Sequence, residues 1–139
     1  MTNQKKILVL FTTATKGLNA AYHAFSLAER IKARIFILFF KAPTHDWQEI
    51  TRLEEALSTI TNDALQEGLS VTYHVVQGGF EQEVASLIDE ADIDLVVYDV
   101  DDGNGPQGSS INRIRSQVSI QFIEVKSKYD FKCLQGRGE

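Results

Sequence analysis

Five short apolar runs alternate along this chain with longer amphipathic stretches, and that alternation limits the fold more than any other feature. The runs are Lys6–Phe11, Arg34–Phe40, Leu69–Val76, Asp94–Val100 and Val118–Val125. Each has the length of a strand, and those nearest to continuous apolar sequence match strands covered on both faces. Between them, Leu18 to Lys32 places Leu18, Tyr22, Phe25 and Ala28 on one face of a helix. Ile50, Leu53, Leu57, Ile60 and Ala64 recur at spacings of three and four, and Gly68 stands where such a helix stops. Phe80, Val84, Leu87 and Ile88 form a third helical face. The resulting order, β-α-β-α-β-α-β-α-β, predicts a single-domain α/β protein. Its sheet is expected to be open, mostly parallel and five-stranded, with helices on both faces and right-handed crossovers.

At 139 residues the chain suits one domain with a real core. The domain is expected over residues 1–126. The tail, 127–139, is polar apart from Tyr129, Phe131 and Leu134, and is expected to be loosely held. A net charge of −5 argues against a nucleic-acid partner. No apolar run approaches the roughly 20 residues that span a bilayer, so no membrane role is expected. Met1 to Lys6 is polar and leads straight into a strand, unlike a signal peptide. The single cysteine, Cys133, can form no internal disulfide, and the expected location is cytoplasmic.

The segment richest in functional signals runs from Asp94 to Val125. A strand leads into a glycine-rich loop that ends Gly108-Ser109-Ser110, and a short helix and a last strand follow. Ligands of open parallel sheets bind beyond the carboxyl ends of the strands. A Gly-Ser pair that opens a helix offers N–H groups and a hydroxyl to a phosphate. Asp99, Asp101 and Asp102 in the same loop repel one. Ser109 or Ser110 also serves as an N-cap, worth about 1 kcal/mol with no ligand at all. The favoured reading is therefore a capped turn and a solvated acidic loop, with Arg113 and Arg115 either offsetting the aspartates or lying on the surface.

Thr12 to Lys16, at the end of the first strand, faces the same crevice. Lys16-Gly17 reverses the P-loop order, which excludes that motif. Asp99, Asp101 and Asp102 stand at a strand end, where they could hold Mg²⁺. Asp99-Val100-Asp101 also resembles the acidic start of haloacid dehalogenase-like phosphatases, with Asp99 as nucleophile and Asp101 as acid/base. Only 40 residues follow Asp99, too few to supply the other groups such enzymes need. His23, His45 and His74 lack metal-ligand spacing. Cys133, beside Lys132, reads as an ordinary thiol. Pro43 and Trp47 fall in the connection after the second strand, where Trp47 covers a helix end or a pocket mouth. In the last run, Val118, Ile120, Phe122 and Ile123 are interleaved with Ser119, Gln121 and Glu124, a pattern that suits an edge strand open to pairing.

Lys6-Ile7-Leu8-Val9-Leu10-Phe11, Val75-Val76-Gln77-Gly78-Gly79-Phe80, Asp94-Leu95-Val96-Val97-Tyr98, Gly108-Ser109-Ser110 and Ile120 to Val125 together resemble the universal stress protein family, over residues 5–126. The resemblance implies the fold of the adenine nucleotide alpha hydrolases. It also implies a homodimer in which the last strand pairs with its twin across a two-fold axis, through Val118, Ile120, Phe122 and Glu124. ATP-binding members carry an aspartate at the end of the first strand and a loop with two glycines, a long spacer, then a glycine followed by Ser or Thr. Here Thr12 stands at the aspartate position, and the loop keeps Gly108-Ser109 behind a shortened, acidic first part.

The implied protein is a non-enzymatic stress-response regulator with a degenerate or lost ATP site, acting through protein partners. Its alternative is a nucleotide-gated switch that binds ATP with Mg²⁺, and a phosphatase built on Asp99 and Asp101 ranks third. If a nucleotide binds, Thr12, Thr13 and Ala14 are expected on one side. Gly108, Ser109 and Ser110 would meet the phosphates, and the backbone of Phe40 and Lys41 would lie near the base.

Overall fold

The computed structural model describes residues 4–41 and 47–126. The expectations for Pro43, His45, Cys133, the first residues and the tail lie outside these. The strands are β1 (Lys6–Thr12), β2 (Arg34–Phe40), β3 (Val71–Val76), β4 (Leu95–Asp99) and β5 (Gln121–Val125). The helices are α1 (Asn19–Ile31), α2 (Trp47–Gln66), α3 (Phe80–Glu90), the four-residue α4 (Val100–Gly103) and α5 (Gly108–Gln117). The strands form one sheet in the order β3-β2-β1-β4-β5, and every pairing is parallel.

That order follows from the helices. The chain steps outward from β1 to β3, then returns to the other side of β1 for β4 and β5. Crossovers of one hand therefore place α1 and α2 on one face, and α3 and α5 on the other. Strand periodicity splits the core accordingly. Ile7, Val9 and Phe11 of β1 pack with Ala20, Ala21, Ala24 and Ala28 of α1 and with Ile50, Leu57 and Ile60 of α2. Leu8 and Leu10 pack with Phe80, Val84 and Ile88 of α3 and with Ile111 and Ile114 of α5. Each buried aliphatic side chain contributes about 1.5–3 kcal/mol. The alanine stripe on α1 carries no bulk to hold that helix away from the sheet.

Element ends follow local chemistry. Gly68, just past α2, has φ 94, a left-handed value that glycine adopts without strain. Lys32 takes the same region at the end of α1, and its N–H bonds the Ala28 carbonyl. Two expectations need correction. The last strand starts at Gln121 rather than Val118, because the Val118 N–H is bonded to the Ile114 carbonyl and closes α5. The glycine-rich loop begins as helix α4, because the Asp99 carboxylate accepts the Asp101 N–H and caps a helical turn.

A candidate site at the switch between β1 and β4

The direction of strand addition reverses between β1 and β4, and their carboxyl ends, Thr12 and Asp99, open the crevice where ligands of such sheets bind. The floor of this crevice is a closed hydrogen-bond network. The Thr12 N–H donates to Thr15 Oγ1 at 2.9 Å, and the Ala14 N–H donates to Thr12 Oγ1 at 3.0 Å. Each hydroxyl, having accepted an N–H, donates onward to Asp102. Thr12 Oγ1 lies 2.5 Å from Asp102 Oδ1, and Thr15 Oγ1 lies 2.7 Å from both carboxylate oxygens. Thr12, Thr15, Asp99 and Asp102 are all buried. Beside them the Lys16 N–H donates to Asp101 Oδ2 at 3.3 Å.

Glycine makes this closeness possible. A Cβ on Gly105 would come within 2.9 Å of both the Ala14 methyl and the Asp101 carbonyl oxygen. A Cβ on Gly108 would collide with the Gly103 carbonyl oxygen. These glycines fold the loop onto itself and onto the β1–α1 turn, and the volume they vacate is already filled by backbone.

The electrostatics are those of buried acids. Burial pushes Asp102 up to about 6, against the two threonine hydrogen bonds that favour its charged form, and the neighbouring Asp99 and Asp101 raise it further. Burial likewise pushes Asp99 up to about 6. The Asp101 N–H opposes that rise, while the charges of Asp101 and Glu124 add to it. Asp99 Oδ2 is buried with no hydrogen-bond partner among the described residues. Among those residues no group of three His, Cys, Asp or Glu side chains is placed to hold a metal ion. Nor is any helix among them long and apolar enough to cross a membrane.

Next to this floor lies an open cavity of about 880 Å³. Leu18, Phe39, Ile50, Leu53 and Ala56 give it apolar walls, and Thr13, Lys16, Glu49, Arg52, Asp101 and Asn104 give it a polar rim. Its size falls within the roughly 300–1,000 Å³ of small-molecule sites.

No protein-family model matches the chain, and no curated protein matches it in sequence. Solved structures do match it. A universal stress protein in complex with cAMP superposes with a TM-score of 0.64 at 16% identity, covering 91% of this chain and 100% of that one. A universal stress protein from Archaeoglobus fulgidus in complex with dAMP gives 0.62 at 14%, covering 91% and 100%. Universal stress protein UspA from Lactobacillus plantarum gives 0.59 at 17%, covering 90% and 99%. The fold is that of the universal stress proteins.

Within that fold the expected nucleotide contacts separate. Thr13 and Ala14 line the cavity, whereas Thr12 lies beneath it, bonded to Asp102. Phe40 is buried on the α3 face, its ring 5.3 Å from that of Phe80 and at 63° to it. Lys41 Nζ pairs with Glu54 at 3.1 Å. Gly108 is buried, and Ser109 and Ser110 sit on α5, none of them lining the cavity. The acidic loop is not solvated: Asp99 and Asp102 are 0% exposed, because the threonine hydroxyls and the close glycine contacts draw the loop inward. Arg113 does not offset it, being paired with Glu81 of α3 at 2.9 Å. Trp47 is the first residue of α2 and is 66% exposed.

Of the expected dimer residues, Phe122 is buried in the α3–α5 core, where Val118 and Ile120 also pack, and Glu124 is exposed. The sequence places Thr12 to Lys16 at the crevice but not the bonds of Thr15 to Asp102, nor the α2 wall of the cavity, Ile50, Leu53 and Ala56. The threonines three apart at the end of β1 were the available signal.

Proposed function

We propose that this chain is a non-enzymatic regulatory protein of the universal stress type, a cytoplasmic homodimer that acts on protein partners and has lost the ATP site. One observation supports this above the others. The Asp102 carboxylate occupies the switch point as an internal ligand of Thr12 and Thr15, behind a glycine loop already filled by its own backbone. A triphosphate would bring further negative charge against Asp99, Asp101 and Asp102. The phosphatase alternative is disfavoured by the burial of Asp99, whose Oδ1 is engaged as a helix cap. Calorimetric titration with ATP, with and without Mg²⁺, tests the reading after a check for copurified nucleotide. No binding at millimolar ATP is expected; micromolar affinity would overturn it.

A second reading, a switch gated by an adenine nucleotide, is favoured by the open cavity beside the closed floor and by neighbours in complex with cAMP and dAMP. The same titration with cAMP and dAMP separates the two. Binding of either, displaced by no excess of ATP, would favour a gated cavity that excludes the longer phosphate chain.

A further inference from the structure

Helix α4 is a single turn, and side-chain bonds tie it to the crevice. At its start Asp99 Oδ1 accepts the Asp101 N–H at 3.0 Å. Further along, Asp101 Oδ2 accepts the Lys16 N–H, and Asp102 accepts the hydroxyls of Thr12 and Thr15. Every one of these bonds ends on a carboxylate. A fourth carboxylate closes in from β5, where a Cβ on Gly103 would run into Glu124 Oε2. Among the described residues none of Asp99, Asp101, Asp102 and Glu124 is paired with a cation. The centre of the group is Asp99, which is fully buried and whose Oδ2 has no hydrogen-bond partner. Such a group is costly as an anion and much less so as a neutral carboxyl.

We propose that α4 is a proton-operated latch on the crevice: a proton on Asp99 keeps the turn seated, and its loss frees α4 from the β1–α1 turn, uncovering Thr12, Thr15 and Asp102 to the adjoining cavity. The charged groups that face Asp99 all push the same way. Asp101 and Asp102 act on it from α4 and Glu124 from β5, and all are acids. The β1–α1 turn contributes two hydroxyls and the Lys16 N–H, and the Lys16 ammonium forms no ion pair with any of the four carboxylates. With Asp99 neutral, its Oδ1 still caps the turn. With Asp99 ionised, four like charges surround four residues of chain. The seated turn retains a proton that the released turn, with Asp99 in water, gives up. Release is therefore favoured as pH rises through about 6, the value to which burial first, and the neighbouring acids after it, raise Asp99. Above that pH the polar floor joins the cavity of about 880 Å³, and the crevice takes a wider, wetter form.

The test is amide hydrogen exchange of the full chain, read by mass spectrometry at about pH 5 and pH 7.5. Each rate is referred to that of an unstructured chain at the same pH. Peptides over 12–16 and 99–105 are expected to lose at least tenfold in protection at the higher pH. Release is a local event, so low urea is expected to leave their exchange unchanged while it speeds that of the β2 peptide, 34–40. Asp99→Asn keeps an acceptor for the Asp101 N–H without the charge, and is expected to cut the loss at least threefold. Should that variant fold poorly, Asp99→Ser, a smaller uncharged cap, is expected to do the same. Equal protection of the two peptides at both pH values in the wild type would overturn the latch. So would exchange that follows β2 in urea, which is global unfolding, or a wild-type loss retained in the folded variant.

Discussion

The floor of the crevice and its rim are built from similar residues and behave as opposites. The floor holds Thr12, Thr15, Asp99 and Asp102, all buried and all but one carboxylate oxygen bonded to a neighbour. The rim holds Thr13 and Lys16, next to the floor's threonines in sequence, with Glu49 and Arg52 of α2, all exposed. For neighbours such as Thr12 and Thr13 residue type does not separate the two; backbone packing does. Where Gly105 and Gly108 let the chain approach itself, polar groups lose water and must satisfy one another. Where α2 stands away from the β1–α1 turn, they stay wet and an open volume remains. The floor therefore carries stability, and the rim borders an open cavity.

Mutations can break that contrast. The largest loss is expected from Gly108→Ala, since its methyl meets backbone that cannot rotate aside. Overpacking of this kind costs about 3 kcal/mol, measurable by urea denaturation. Next is Asp102→Ala, which strands two buried hydroxyls. At roughly 1–3 kcal/mol for an unsatisfied buried group, a loss of about 2 kcal/mol is expected in the same assay. Asp102→Asn, which keeps an acceptor for one threonine, should lose less.

A third prediction concerns pH. Asp99 and Asp102 are raised from 3.8 to about 6. Below pH 3.8 both are protonated in the folded and the unfolded chain, and their contribution is fully present. As pH rises from 3.8 toward 6 the unfolded chain releases protons that the folded chain retains, so stability falls; above about pH 6 it levels off. Asp99→Asn should flatten this descent and stabilise the protein at pH 7.5 by about 1 kcal/mol. That is well below the ~3 kcal/mol of a full shift, because its amide needs a buried acceptor. A variant with the wild-type slope between pH 4 and 6 would remove Asp99 from this account. The smallest effect is expected at the rim. Arg52, whose contact with Glu49 is 4.0 Å long and exposed, should be replaceable by alanine within about 0.5 kcal/mol.

The strands and long helices were legible because their signals are local. β2 is found over Arg34–Phe40, as the apolar run predicts, and the spacing of Ile50, Leu57, Ile60 and Ala64 marks the buried face of α2. The floor was not legible, for a physical reason. Three aspartates around a glycine-rich turn read as solvated, and only tertiary partners reverse that. Those partners are the hydroxyls of Thr12 and Thr15, 90 and 87 residues away from Asp102. Helix α4, at four residues, is too short for any periodicity to register. The cavity escaped notice because its walls come from α2, whose apolar positions serve the core and the cavity from adjacent turns.

The separation of Thr12 from Asp102 also sets an order of assembly. Local helices can form as soon as their residues exist, but the bonds at the end of β1 must wait for a chain segment made 90 residues later. Closing so long a loop costs entropy before it returns any stabilisation. During synthesis β1 and β2 therefore emerge with the threonine hydroxyls still bonded to water. The polar clasp is thus a long-range contact, complete only where the end of β1 and the turn after β4 lie side by side.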